Sequence, residues 1–108
     1  MVARCWSARG PRQRAPQYAT HLERHVLPAL RGIAGYAGAT LLQRDVHGDV
    51  EVVVITWWQS LDAVRAFAGD DVETAVVADE AAALFNDYDH RVRHFDVVMS
   101  DGDGRAAR

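Results

Sequence analysis

The chain has 108 residues, 49% of them hydrophobic, which suits one small domain with a modest core and leaves too little for a second. Lys and Arg together number 12 against 15 Asp and Glu, a net charge of −3; the signs are interspersed, Arg9, Arg12 and Arg14 form only a local cluster, and a nucleic-acid partner is excluded on that ground. The single cysteine, Cys5, leaves no intramolecular disulfide, and no apolar run reaches the ~18 residues of a membrane span or carries the flanks of a signal peptide, so a reducing, cytoplasmic setting without a membrane partner is expected.

Val2 to Ser7 reads as a first strand, and the following "ARGPRQRAP" as loop. Pro16 suits the first turn of a helix, along which Tyr18, Leu22, Val26, Ala29 and Ile33 recur at helical spacing. Pro28 falls inside that pattern, where it removes a backbone hydrogen bond and bends the last turn. Gly32, Gly35 and Gly38 mark the helix end. Ala39 to Arg44 reads as a second strand, "DVHGD" as a turn, and Val50 to Trp57 as a third strand that is nearly all apolar, the pattern of a strand covered on both faces. Ser60 caps a second helix through Leu61, Val64, Phe67 and Ala68, stopped by Gly69, and a broken helical segment follows through Val76, Ala82, Leu84 and Phe85. "RVRHFDVVM" closes the order as a fourth strand.

This order, β-α-β-β-α-β, is the ferredoxin-like α+β arrangement: a four-stranded antiparallel sheet with both helices on one face. Nothing in the chain remains to cover the other face, so a second copy is expected to do so in a face-to-face homodimer. Residues 1–99 are read as the single domain and 100–108, "SDGDGRAAR" in the main, as a flexible tail.

His21 and His25, four apart with Glu23 between them, invite comparison with a zinc-binding helix. Glu23 is two residues from His21, roughly 200° around the helix, and points away; no further ligand is near in sequence, so no metal is expected. The glycines of "GIAGYAG" follow a helix rather than a strand and form no phosphate loop. Cys5 reads as a small hydrophobe. More informative are the large rings, Trp6, Trp57, Trp58, Phe67 and Phe95, which are core residues or the rim of a sheet–helix cleft for a flat organic ligand. His25 lies within the apolar stripe of the first helix and His94 on the last strand; each is a catalytic acid–base candidate or a structural histidine.

The strings "HVLPALRGIAGYAGATLLQR", "VEVVVITWWQSLDAVRAFAGDDVETAVV" and "DYDHRVRHFDVV" resemble the antibiotic biosynthesis monooxygenase-like family of dimeric α/β-barrel proteins over about residues 2 to 99. The most specific pieces are Trp58-x-Ser60, "AFAG" from Ala66 to Gly69, and Asp89 with Val92-x-His94. The resemblance implies ferredoxin-like protomers paired through their sheets into a dimeric α/β barrel, with a cleft between sheet and helices in each. It implies one of two activities: cofactor-independent oxygenation of polyketide-type phenols, or heme degradation by an Asn, Trp and His set. Registered on Trp58-x-Ser60, that tryptophan falls at Phe67, the histidine at Val77 and the asparagine near Ala3, and all three have departed, which disfavours heme degradation. The expected function is therefore a cofactor-free monooxygenase, or a related isomerase or cyclase, acting on a small aromatic or polyketide-like molecule. A dimeric binding protein without turnover is the alternative. His25 and His94 are the catalytic candidates, Arg4, Trp6, Trp58 and Phe67 the substrate-binding ones, with Arg4 holding a substrate anion; no cofactor is expected.

Overall fold

A computed structural model describes residues 1–102, so 103–108 of the expected tail lie outside the described residues. The element order is β1 (Val2–Pro11), a short 3-10 turn (Arg12–Arg14), α1 (Ala15–His21), a π-helical turn (Leu22–Val26), α2 (Leu27–Arg31), β2 (Tyr36–Val46), β3 (Asp49–Trp58), α3 (Leu61–Ala68), α4 (Asp79–Ala82), β4 (Asp87–Tyr88) and β5 (Arg93–Asp96). The pairings are all antiparallel, with β2, β3, β1 and β4 adjacent in that order and β5 also on β1. The molecule is thus α+β and ferredoxin-like.

Helical character runs from Ala15 to Arg31, interrupted by the wide turn. Its cause is Pro28, which has no N–H to give and whose ring crowds the carbonyl four residues back. The Leu27 N–H bonds the Leu22 carbonyl, five residues earlier, so the helix widens ahead of the proline instead of bending after it. The β2–β3 hairpin closes on His47 and Gly48 alone, with φ of 49° and 90°, the left-handed pair that a two-residue turn requires. Asp45, Val46 and Asp49, expected in the turn, are strand residues. At the start of α3 the Ser60 hydroxyl accepts the Ala63 N–H at 3.2 Å, and Gly69 ends the helix with φ 86°.

Two expectations are corrected. The helical segment expected after Gly69 is confined to α4; residues 70–78 are irregular. Their backbone is claimed from across the fold, since Ala75 N–H bonds the His90 carbonyl and the Glu73 carbonyl takes Val92 N–H. The strand expected over 91–99 is confined to β5, and a two-residue β4 that was not expected pairs with β1 ahead of it, making a five-stranded sheet. β4 ends ahead of Asp89, whose carboxylate accepts both the Ser7 N–H and the Ser7 hydroxyl at 3.0 Å, so a β1 donor is engaged by a side chain instead of a strand carbonyl.

Along β3 burial alternates: Val50, Val52, Val54, Thr56 and Trp58 are buried beneath the helices, while Val53, Ile55 and Trp57 are half-buried on the other face. Within one chain only one face of the apolar strand is covered. The core has two parts, one around Trp6, Tyr18 and Phe85, the other around Leu30, Trp58 and Val64. Among the described residues no helix is long and apolar enough to cross a membrane.

Candidate functional site

Between the helical side of the sheet and the segments that cross it lies a cavity of about 290 Å³. The inward face of β1 contributes Arg4 and Trp6, the long helical stretch contributes Tyr18, His21 and His25, and α3 contributes Phe67. Aliphatic side chains make up most of the remainder, with Glu80 as its carboxylate. Alternation along β1 turns Arg4 and Trp6 to the same face, toward this space.

Arg4 is the polar centre of the site. It is only 5% exposed. One Nη1 hydrogen is given to the Val72 carbonyl at 2.5 Å, and Nη2 donates to the Thr74 carbonyl at 2.8 Å. Nη1 also lies 3.0 Å from His94 Nε2. A guanidinium has no lone pair to offer, so His94 is the acceptor and is neutral in this contact, its proton on Nδ1. The guanidinium carbon lies 5.6 Å from the centroid of the Phe67 ring, within cation–π range. Among the described residues no carboxylate forms an ion pair with Arg4. Burial lowers its pKa to about 10, which still leaves it charged at neutral pH. Burial first, then the Arg4 charge, lowers the His94 pKa, with Glu73 opposing.

The two candidate histidines are therefore in different situations. His25 faces the cavity, whereas His94 sits behind Arg4 and is absent from the cavity wall. His21 does line it, its ring 5.5 Å from that of His25 and its Nδ1 3.9 Å from the Glu80 carboxylate. The sequence reading does not make His21 a cavity residue, because 100° per residue does not hold across the wide turn at Leu22–Val26.

The aromatic candidates divide likewise. Trp6 lines the cavity, with its Nε1–H donated to the Asp89 carbonyl at 2.9 Å and its ring 5.7 Å from Tyr18 and 5.8 Å from Phe85. Phe67 is also on the wall. Trp58 is fully buried behind it, stacked at 6.0 Å between centroids, with Nε1–H donated to the Thr56 hydroxyl at 2.8 Å. It supports the wall without forming it. Of the three positions registered on a heme-degrading set, Phe67 and Val77 line the cavity, and Ala3 lies on the opposite side of β1 from Arg4.

No protein-family model and no curated protein sequence matches the chain. Solved structures do. A mutant of MhuD with two manganese protoporphyrin IX bound per active site superposes with a TM-score of 0.68 at 24% identity, covering 94% of this chain and 99% of that one. MhuD from Mycobacterium tuberculosis, a heme-degrader with two hemes in its active site, gives 0.67 at 23% identity, covering 94% and 100%. A putative antibiotic biosynthesis monooxygenase from Bacillus cereus gives 0.67 at 16% identity, covering 94% and 97%. The chain has their fold. The likeness agrees with the resemblance to antibiotic biosynthesis monooxygenase-like proteins in the sequence, and at these identities it speaks for the fold alone.

Proposed function

We propose that the chain is a cofactor-independent monooxygenase of a small, electron-rich hydroxyarene. The observation that carries this reading is the cavity, in which His25, His21 and Arg4 meet Trp6, Tyr18 and Phe67 in one largely apolar space. Its volume is near the lower end of the range for pockets that hold organic ligands, which favours a small fused-ring aromatic over the paired porphyrins bound by MhuD. A neutral imidazole at His25 accepts the phenol proton, and Arg4 stabilises the phenolate. The phenolate passes an electron to O2, and the resulting pair combines at a ring carbon. Loss of water then leaves a quinone: one oxygen atom becomes the new carbonyl, and the other departs with the phenolic and ring hydrogens. The apolar walls exclude water from the charged intermediate.

The reading includes a homodimer. The register sets Leu42 opposite Val53 and Phe95 opposite Ala3, so the outer face carries Leu42 at 47% and Phe95 at 51% exposure beside half-buried Val53, Ile55 and Trp57. A patch of this kind favours a second copy pairing sheet to sheet.

The test is oxygen uptake with a panel of dihydroxynaphthalenes. Wild type is expected to consume one O2 per quinone formed, and His25→Ala to lose that turnover while remaining folded. No uptake by wild type above buffer, or full turnover by His25→Ala, would overturn the oxygenase reading; binding without uptake would leave a binding protein.

A further inference from the structure

The Arg4 guanidinium has five N–H groups, of which the bonds to Val72, Thr74 and His94 use three. The Nε–H and one Nη2–H remain for something else. This cation is buried, lines the cavity, and is paired with no carboxylate among the described residues. All three of its present partners are neutral: two carbonyls and an imidazole that must itself be neutral to accept. Glu80, the cavity's carboxylate, is directed elsewhere, its side chain 74% exposed beside His21.

A buried positive charge without a counter-ion is costly, and an incoming anion relieves that cost. Beside it is the face of Phe67, with Trp6 also on the wall, so the space next to the charge suits a flat ring. We infer that the cavity selects an aromatic acid: a fused-ring ligand bearing a fixed carboxylate that occupies the two unused Arg4 donors.

A guanidinium fork and a carboxylate match two bonds to two, which a single phenolate oxygen does not. The inference rests on the aromatic-cavity reading and narrows it: the hydroxyarene that is oxidised carries a carboxylate as well, at a distance from the hydroxyl set by the separation of Arg4 from His25, so that Arg4 bonds the carboxylate and acts on the phenolate only through its charge. His94 is then a positioning residue. It turns Nη1 away from the ligand and adds no charge that would compete for the carboxylate.

The experiment uses ligands that cannot be oxidised to a quinone in place: calorimetric titration of wild type at neutral pH with 2-naphthoate and with its methyl ester, and 2-naphthol under nitrogen as the arm that tests the aromatic site alone. The acid is expected to bind at least about tenfold more tightly than the ester, the scale of a charge-assisted hydrogen bond to a buried partner. Arg4→Gln should abolish that preference, with the acid-to-ester affinity ratio as the readout, and Arg4→Lys, which keeps the charge and loses the fork, should fall between. Equal binding of acid and ester by wild type overturns the inference even if both variants fail to fold. In that case binding of 2-naphthol leaves the aromatic cavity standing; absence of binding by all three ligands overturns the cavity reading too.

Discussion

Arg4 and His94 are direct partners in the β1–β5 ladder, and across that pair the arginine donates to the imidazole at 3.0 Å. The contact ties the acid–base state of a strand-five histidine to the orientation of the only guanidinium on the cavity wall among the described residues.

A pH dependence of stability follows from that contact. Burial and the Arg4 charge hold the His94 pKa below its ordinary 6.5, against a smaller pull from Glu73. The unfolded chain therefore binds this proton more readily than the folded one. The stabilisation is complete above about 6.5 and is lost as pH falls from there through the lowered folded value. His94→Gln keeps an acceptor for Arg4 and does not titrate. Thermal melts from neutral to mildly acidic pH should show the wild-type Tm falling more steeply than that of His94→Gln; parallel curves would remove His94 from this role.

The outer face of the sheet gives a second test. Ile55 is half-buried there, opposite Cys5 on β1 and Thr40 on β2. Sedimentation equilibrium of wild type is expected to return twice the 11.9 kDa chain mass at micromolar concentration. Ile55→Arg, which brings a charge to the centre of that face, should give a folded monomer. A monomeric wild type would contradict the dimer.

Gly35 is a third. Its φ is +91°, and a Cβ there would come within 2.6 Å of the Ala63 Cβ at the start of α3. Gly35→Ala should cost about 1–3 kcal/mol from the backbone conformation, with the overlap in addition. Pairing it with Ala63→Gly removes the overlap and leaves the backbone cost, so the double variant should recover part of the lost Tm. Full recovery would show that the backbone conformation carries no cost, and no loss in the single variant that Gly35, just ahead of β2, lies farther from α3 than the structure has it.

Much of this fold was legible because its signals are local. Ser60 and Gly69 bound α3 where a capping hydroxyl and a left-handed residue were expected. The nearly all-apolar stretch of β3 announced a strand without an exposed polar face. What failed to show depends on distant partners. The segment expected to be helical from Val76 is not helical there, because Arg4 takes the carbonyls of Val72 and Thr74, and backbone bonds with His90 and Val92 hold the chain open. β4 was not expected, and Asp89, which follows it, is tied to Ser7, 82 residues away. In the site, the large rings pointed to Trp6 on β1 and Phe67 on α3, but spacing could not tell that Trp58 lies one layer deeper. His94 was visible as an inward-facing strand residue, and its bond to Arg4 needed the register of β1 on β5.

The central claim is that a flat aromatic molecule occupies the cavity beside His25, and the histidine ring-proton NMR spectrum tests it most directly. The five imidazoles divide cleanly: His21 and His25 line the cavity, His94 stands behind Arg4, and His47 and His90 are off its wall. On titration with 2-naphthol under nitrogen, the His21 and His25 resonances, assigned by single His→Gln variants, should shift progressively and saturate together, while those of His47 and His90 stay in place. Saturable shifts confined to His47 or His90, or no shift at all at millimolar ligand, would contradict it.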